Sequence, residues 1–336
     1  MRFFYAQFGA QLMPLDITNP ETISKLTNQA IPTTSAQPIK VNNIQDIGTW
    51  PHDTVAYETT WADGRSIPLV LRAYRSPITY WQTEDHQQRN REWAVLRRLR
   101  LDGFPAPRPL ARGEAGGQPF IIWQNPTGQI EFESSQGMAQ QLKPLIPQLA
   151  NLLASLHALD HNSLNNEPLY QATVAGSLVR MLLWSREIEN DLLRQAVARL
   201  KPAVAQLKSW APRLLHGNPH FGNLLLDQGQ ITRLINWEHS AIGDPRWDVM
   251  TAAHWLRPEE PELAAQLVNW YETFTGRSID NRPFWWAMVS VRLWAIKIWT
   301  QYAVQQQMVS EDFLTWTEDL PQAEARAFQD LVAAGL

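Results

Sequence analysis

The sequence predicts an α+β chain in two unequal parts, a strand-rich part with one helix followed by a larger, mainly helical part. Three observations predict it. Short apolar or alternating runs separated by turn residues fill residues 44–72. Helical stripes dominate from residue 134 onward. Between them lies Gln124-Asn125-Pro126-Thr127-Gly128, whose proline and glycine mark a boundary near Asn125. A chain of 336 residues can hold two separate cores. The expected division is an N-terminal extension at 1–43, a first lobe at 44–124 and a second at 125–336.

Taken in order, residues 1–43 mix polar and apolar character, with a short helix expected at 20–30 and a Pro/Thr/Ser linker at 31–38. Strands are expected at 44–48, 55–61 and 67–72, broken by Trp50-Pro51-His52-Asp53 and Ala62-Asp63-Gly64-Arg65, which gives an antiparallel meander. A helix at 87–100 carries Trp93, Leu96 and Leu99 at helical spacing, with Glu92 near its start. Phe120-Ile121-Ile122-Trp123 reads as a buried strand. The wide leucine stripe of 138–159 is broken or restarted near Pro144 and Pro147. Helices follow at 174–187, 190–209, 248–256, 261–275, 283–304 and 310–334, and no fixed-period repeat links them. Trp285, Trp286, Trp294 and Trp299 crowd one helix, a pattern that favours core or interface over a ligand cage.

Composition excludes several classes. A net charge of -4 gives no electrostatic case for nucleic acid. The absence of cysteine removes disulfides, thiolate metal sites and cysteine nucleophiles, and fits a reducing compartment. No secretory signal opens the chain, and the apolar run 283–304 is interrupted by Arg292 and Lys297, so no membrane span is expected and the protein reads as cytoplasmic.

Residues 214–249 carry the chemistry. They read as a turn-rich loop, an apolar run at 224–226, a tight Asp227-Gln228-Gly229-Gln230 turn, a second apolar run, and a Gly-Asp-Pro loop. Pairing of that hairpin brings Asn218, Asn223, Asn236 and Glu238 together, because each sits at a strand end. This stretch resembles the catalytic and metal-binding segment of the aminoglycoside phosphotransferase and choline kinase family, whose pattern is H-G-D-x-x-x-x-N, a hairpin, I-D, then G-D-P and a later Asp. His216, Gly217, Asn223, Ile235, Gly243, Asp244, Pro245 and Asp248 match it. Asn218 stands where the family has its catalytic aspartate and Asn236 where it has a metal-binding aspartate.

The resemblance implies a two-lobed protein-kinase-like fold, ATP or GTP with magnesium as cofactor, and a small-molecule acceptor. It makes the turn around Gly48 the loop over the nucleotide phosphates, although one glycine there serves a plain hairpin equally well. Arg72 aligns with the family's phosphate-binding lysine, and Glu92 is its helix partner. Gln124 and Asn125 fall at the hinge that holds the adenine edge, and Leu156-His157-Ala158-Leu159-Asp160 also resembles the family. Asn223 and Asn236 take the metal positions, with Glu238 two residues on as a further carboxylate. His220, two residues after Asn218, has the ordinary pKa of a base or a purely structural role, and His157 reads as a packed core histidine. His216 is expected to brace the loop, and Asp244 and Asp248 to be loop and helix-cap carboxylates.

An amide is neither basic nor charged. Asn218 can accept a hydroxyl's hydrogen bond but not its proton, and Asn236 offers magnesium a neutral oxygen where one or two carboxylates usually serve. Two functions stay open: a small-molecule kinase of the aminoglycoside phosphotransferase type, weak or inactive, or a catalytically silent pseudokinase-type binding protein for a nucleotide, small molecule or protein partner.

Overall fold

The computed structural model describes residues 15–31, 40–47, 52–61, 63–74, 87–126, 128, 138–164, 167, 169–258, 260–309 and 311–336. Gly48, expected over the phosphates, lies outside the described residues, as do residues 32–38 of the linker. The architecture is α+β, with a five-stranded antiparallel sheet first and a larger helical lobe after it.

The strands β1 (Lys40–Asp46), β2 (Asp53–Thr60), β3 (Ser66–Ala73), β4 (Arg108–Ala115) and β5 (Gln118–Gln124) lie in the order β1-β2-β3-β5-β4. Because side chains alternate along a strand, each strand divides its residues between two faces. Val55, Tyr57, Leu69, Leu71, Phe120 and Ile122 pack with Ile23 and Leu26 of helix α1 (Pro20–Ala30). The Thr27 and Tyr57 hydroxyls, 3.0 Å apart, tie that helix to the sheet. The opposite face presents Val70, Ile121 and Trp123, against which Trp93 of helix α2 (Gln88–Leu101) packs. Two residues past Val70, Arg72 falls on this second face by the same parity, and its guanidinium lies 5.1 Å from the Trp123 ring centroid.

The second lobe contains α3 (Met138–Leu142), α4 (Ile146–Ala158), β6 (Tyr170–Ala172), α5 (Val174–Glu187), α6 (Asp191–Val204), β7 (Arg213–Leu215) and the hairpin β8 (Leu224–Asp227) and β9 (Gln230–Leu234). It closes with β10 (Ala241–Gly243), α7 (Arg246–Leu256), α8 (Pro261–Thr275), α9 (Arg282–Gln305) and α10 (Leu320–Ala333). Helix α9 is buried on nearly all sides and packs against α5, α6, α7 and α10. Its aromatic residues build the core: Trp299 stacks on Trp184 at 5.6 Å, and Trp285 meets Trp247 edge-on at 5.5 Å. Among the described residues no helix is long and apolar enough to cross a membrane.

Several elements differ from the sequence expectation for identifiable reasons. β1 begins at Lys40 rather than 44, because this edge strand is mostly exposed and shows no apolar alternation. β4 has only two buried side chains, Pro109 and Ala111, and so gives no apolar run. Pro202 sits inside α6, which ends two residues later instead of running to 209. The expected helix at 310–334 is a 3-10 segment, Glu311–Thr317, followed by α10, whose start is set by Pro321 in its first turn.

Candidate functional site

β7 and β10 pair antiparallel, with Leu215 opposite Ala241, and this holds the loop after β7 against the segment after β9. Gly217 lies in that contact with φ +89°, and a Cβ there would stand 2.1 Å from the His239 carbonyl oxygen. Asp248 in the first turn of α7 fixes the loop from beneath. Its carboxylate is fully buried and accepts from the backbone N–H of His216 at 2.7 Å and of Gly217 at 2.9 Å. His157 stands between the same carboxylate, at 3.3 Å, and the Tyr271 hydroxyl, at 2.8 Å. Asp248 is therefore the loop's anchor, and Asp244 instead pairs with Arg246.

His216 braces the loop from inside. Its Nε2 donates to the Ile235 carbonyl at 2.8 Å while Nδ1 accepts from the Asn218 N–H at 3.3 Å. Burial lowers its pKa and keeps the ring neutral.

A directional hydrogen-bond chain runs through the three asparagines. The Arg72 guanidinium donates through Nη2 to Asn236 Oδ1, Asn236 Nδ2 donates to Asn223 Oδ1, and Asn223 Nδ2 donates to the backbone carbonyl of Asn218 at 2.9 Å. Asn236 holds a left-handed backbone, φ 65° and ψ 65°, which asparagine tolerates better than most residues. The Asn218 side-chain oxygen accepts from the Trp255 indole N–H at 3.3 Å.

Arg72 is the centre of the charge. Only 2% exposed, it reaches Glu92 at 3.3 Å and Glu238 at 3.0 Å through Nη1 and Thr54 Oγ1 at 3.4 Å through Nε. Arg91, on the preceding position of α2, donates to the Glu238 carbonyl at 3.1 Å, and the Tyr74 hydroxyl donates to Glu92. Burial raises the Glu92 carboxyl and Glu238 adds repulsion, against which Arg72 pulls the other way, and the net direction is upward. Burial also acts to raise Glu238, but Arg72 and His52 outweigh it and hold that carboxyl below the usual range.

The profile of the Phosphotransferase enzyme family matches residues 52–282. The chain belongs to this family. A comparison with curated protein sequences finds no match. Solved structures sharing the fold include the apoenzyme of macrolide 2'-phosphotransferase MphH from Brachybacterium faecium, at 16% identity and TM-score 0.59, over 92% of this chain and 98% of that one. A thermostable mutant of aminoglycoside phosphotransferase APH(4)-Ia, in ternary complex with ADP and hygromycin B, matches at 15% identity and TM-score 0.61, over 88% and 95%. The GDP complex of aminoglycoside 2'-phosphotransferase-IIIa matches at 16% identity and TM-score 0.59, over 94% and 99%. The fold of this phosphotransferase-family chain is thus protein-kinase-like.

Geometry redistributes the roles expected from the sequence. Arg72, Glu92, Asn218, Asn223, Asn236 and Glu238 come together, but Arg72 is aimed at the amides and carboxylates rather than held open for phosphates. His220 is not placed as a base. Its Nδ1 accepts from the Gly222 N–H at 3.1 Å, so the ring proton sits on Nε2, and burial with repulsion from His216 lowers its pKa to about 4. At the expected hinge, Gln124 ends β5 opposite Leu69, and the Asn125 N–H donates to the Pro68 carbonyl at 2.9 Å, which removes it from contact with a base edge. Asn125 instead borders a hollow of about 430 Å³ over β1–β3, lined also by Ala56, Tyr57 and Pro68 and by none of the three clustered asparagines.

The donor set does not fit a magnesium ion. Asn223 Oδ1 and Asn236 Oδ1 both accept hydrogen bonds from protein groups, and Glu238 is paired to Arg72. Among the described residues no cluster of three or more His, Cys, Asp or Glu side chains could hold a metal. Arg91, Tyr74 and Trp255 were not singled out from the sequence. Trp255 had a signal, since it lies seven residues after Asp248 and so on the same face of α7.

Proposed function

We propose that this phosphotransferase-family protein is a catalytically silent relative that binds a small molecule and does not perform magnesium-dependent phosphoryl transfer. One observation carries the reading. The asparagines at the family's two metal positions, Asn236 and Asn223, are joined in a hydrogen-bond chain that begins at Arg72 and ends on the backbone carbonyl of Asn218.

Phosphoryl transfer to a hydroxyl needs a group that orients or accepts its proton, and charge that neutralises the phosphates. Asn218 can hold a hydroxyl through its carbonyl oxygen, beside the Trp255 indole. It cannot take the proton, and a positioned base contributes roughly 10²–10⁴-fold. His220 has no lone pair directed to the task. The phosphates would also lack their cation, since the Arg72 charge is balanced within the protein by Glu92 and Glu238. Trp255, 37% exposed with His220 5.4 Å away ring to ring, offers a ligand an aromatic edge next to Asn218.

A slow ATP- or GTP-dependent small-molecule kinase is the second reading, favoured by family membership and by nucleotide complexes among the similar structures. The test is turnover with labelled ATP or GTP, magnesium and a panel of hydroxyl acceptors including aminoglycosides and macrolides. The proposal predicts no transfer above the protein-free rate. Magnesium-dependent transfer above that rate would overturn it, even if far below the roughly 1–100 s⁻¹ usual for kinases.

A further inference from the structure

We infer that the Arg72 guanidinium takes the place of the divalent cation, and that Arg72 and Asn236 act as one coupled device that keeps metal out. This rests on the reading of residues 223 and 236 as the family's metal positions.

The first support is reach. Strand parity directs Arg72 to the α2 face of the sheet, where Trp123 backs its guanidinium at 5.1 Å. From there the planar fork meets four oxygen-bearing side chains at once: Thr54 through Nε, Glu92 and Glu238 through Nη1, and Asn236 through Nη2. A lysine ammonium is a point charge with three donors and cannot reproduce this planar spread. The second support is charge. Arg72 lies between two buried carboxylates that would otherwise attract a cation, and its charge repels a divalent ion approaching the same oxygens. The third is direction. Because the Asn236 oxygen faces the guanidinium, its amide nitrogen faces Asn223 and occupies that residue's oxygen as well. One arginine thereby commits both candidate ligands.

The consequence differs from what the asparagine replacements alone suggest. A carboxylate restored at position 236 would not create a metal site while Arg72 remains, because a charged acceptor binds a guanidinium more strongly than an amide does. Metal binding requires both positions to change.

The experiment is Mn²⁺ titration, followed by the loss of the free-ion paramagnetic resonance signal, on wild type, Asn236→Asp, Arg72→Lys and the double variant Arg72→Lys/Asn236→Asp. The measurement needs neither nucleotide nor acceptor, so its outcome is separate from whether the wild type transfers phosphate. Wild type and Asn236→Asp are expected to leave the signal unchanged. The double variant, with folding checked by circular dichroism, is expected to bind Mn²⁺ at least about tenfold more tightly than Asn236→Asp. Equal affinity of Asn236→Asp and the double variant overturns the inference, as does a folded double variant that binds no Mn²⁺. Should the lysine variants fail to fold, Asn236→Asp alone decides: Mn²⁺ binding refutes the inference and its absence supports it.

Discussion

Replacing Arg72 with methionine is the sharpest perturbation of this site. The substitution keeps an unbranched side chain over Trp123 but removes the only cation within salt-bridge distance of both Glu92 and Glu238 among the described residues. Breaking a buried pair by deleting one partner typically costs about 3–5 kcal/mol, because the remaining charge is left uncompensated. Here two carboxylates remain, so the upper end applies near neutral pH, a large share of a total stability of about 5–15 kcal/mol. The sign of the pH dependence follows. Without Arg72, burial and the neighbouring Glu238 raise the Glu92 carboxyl further above its unfolded value of 4.5, and Glu238 loses the strongest of the influences that hold its carboxyl down. The stability associated with Glu92 is then present below that value and lost as pH rises through its raised folded value, while the stability that a lowered Glu238 contributes above 4.5 is diminished. In the wild type the two groups oppose each other, Glu92 shifted up and Glu238 shifted down. The assay is urea unfolding of both proteins from pH 4.5 to pH 8. A gap that widens steadily with pH is expected, and Glu238→Gln in the methionine background should recover part of it. A loss below about 1 kcal/mol, or a gap independent of pH, would refute the buried ion-pair cluster.

Three further outcomes are expected. Asp248→Asn keeps the shape but sets an NH₂ group toward one of the two buried backbone donors, since His216 and Gly217 bond different oxygens; it should cost about 1–3 kcal/mol in denaturant unfolding, and no measurable change would deny the anchoring role. Gly217→Ala should fail to reach native stability, since its Cβ would overlap the His239 carbonyl and its φ of +89° suits only glycine; an unchanged melting temperature would contradict the close approach. His220 should stay neutral by NMR down to about pH 4, and because its folded pKa is depressed, the stability it contributes is present above pH 6.5 and lost as pH falls toward 4. Titration near 6.5 would contradict its burial.

How far the sequence is legible depends on the range of the interactions involved. The hairpin and its flanking loops are local, so the convergence of Asn218, Asn223, Asn236 and Glu238 followed from turn chemistry and strand pairing alone. Helices with apolar stripes and clear caps were equally legible: α5 begins at its Thr173 cap, and α8 opens with a proline in its first turn and closes at Gly276. The Arg72–Glu92 pair was an expectation of the family resemblance, which set Arg72 at the position of the strand-end lysine and Glu92 on the helix that follows. What stayed hidden spans long separations. Whether Arg72 points at phosphates or at Asn236, 164 residues later, depends on how the sheet rests on the second lobe, which no local pattern encodes. The same holds for Arg91 gripping the Glu238 carbonyl and for Trp255 reaching Asn218. His220 illustrates a different limit: its residue type suits a base, but its tautomer is set by the Gly222 N–H, a contact that exists only after the turn has formed.

If Arg72 and the linked asparagines stand in for the metal, magnesium leaves nucleotide binding unchanged. Isothermal titration of the wild-type protein with ADP, with and without magnesium chloride, should give either no binding or an affinity that magnesium leaves unchanged. Binding at least about tenfold tighter with magnesium would mean that the oxygens of Asn223, Asn236 and Glu238 are released to a divalent ion and that Arg72 does not hold the metal's place.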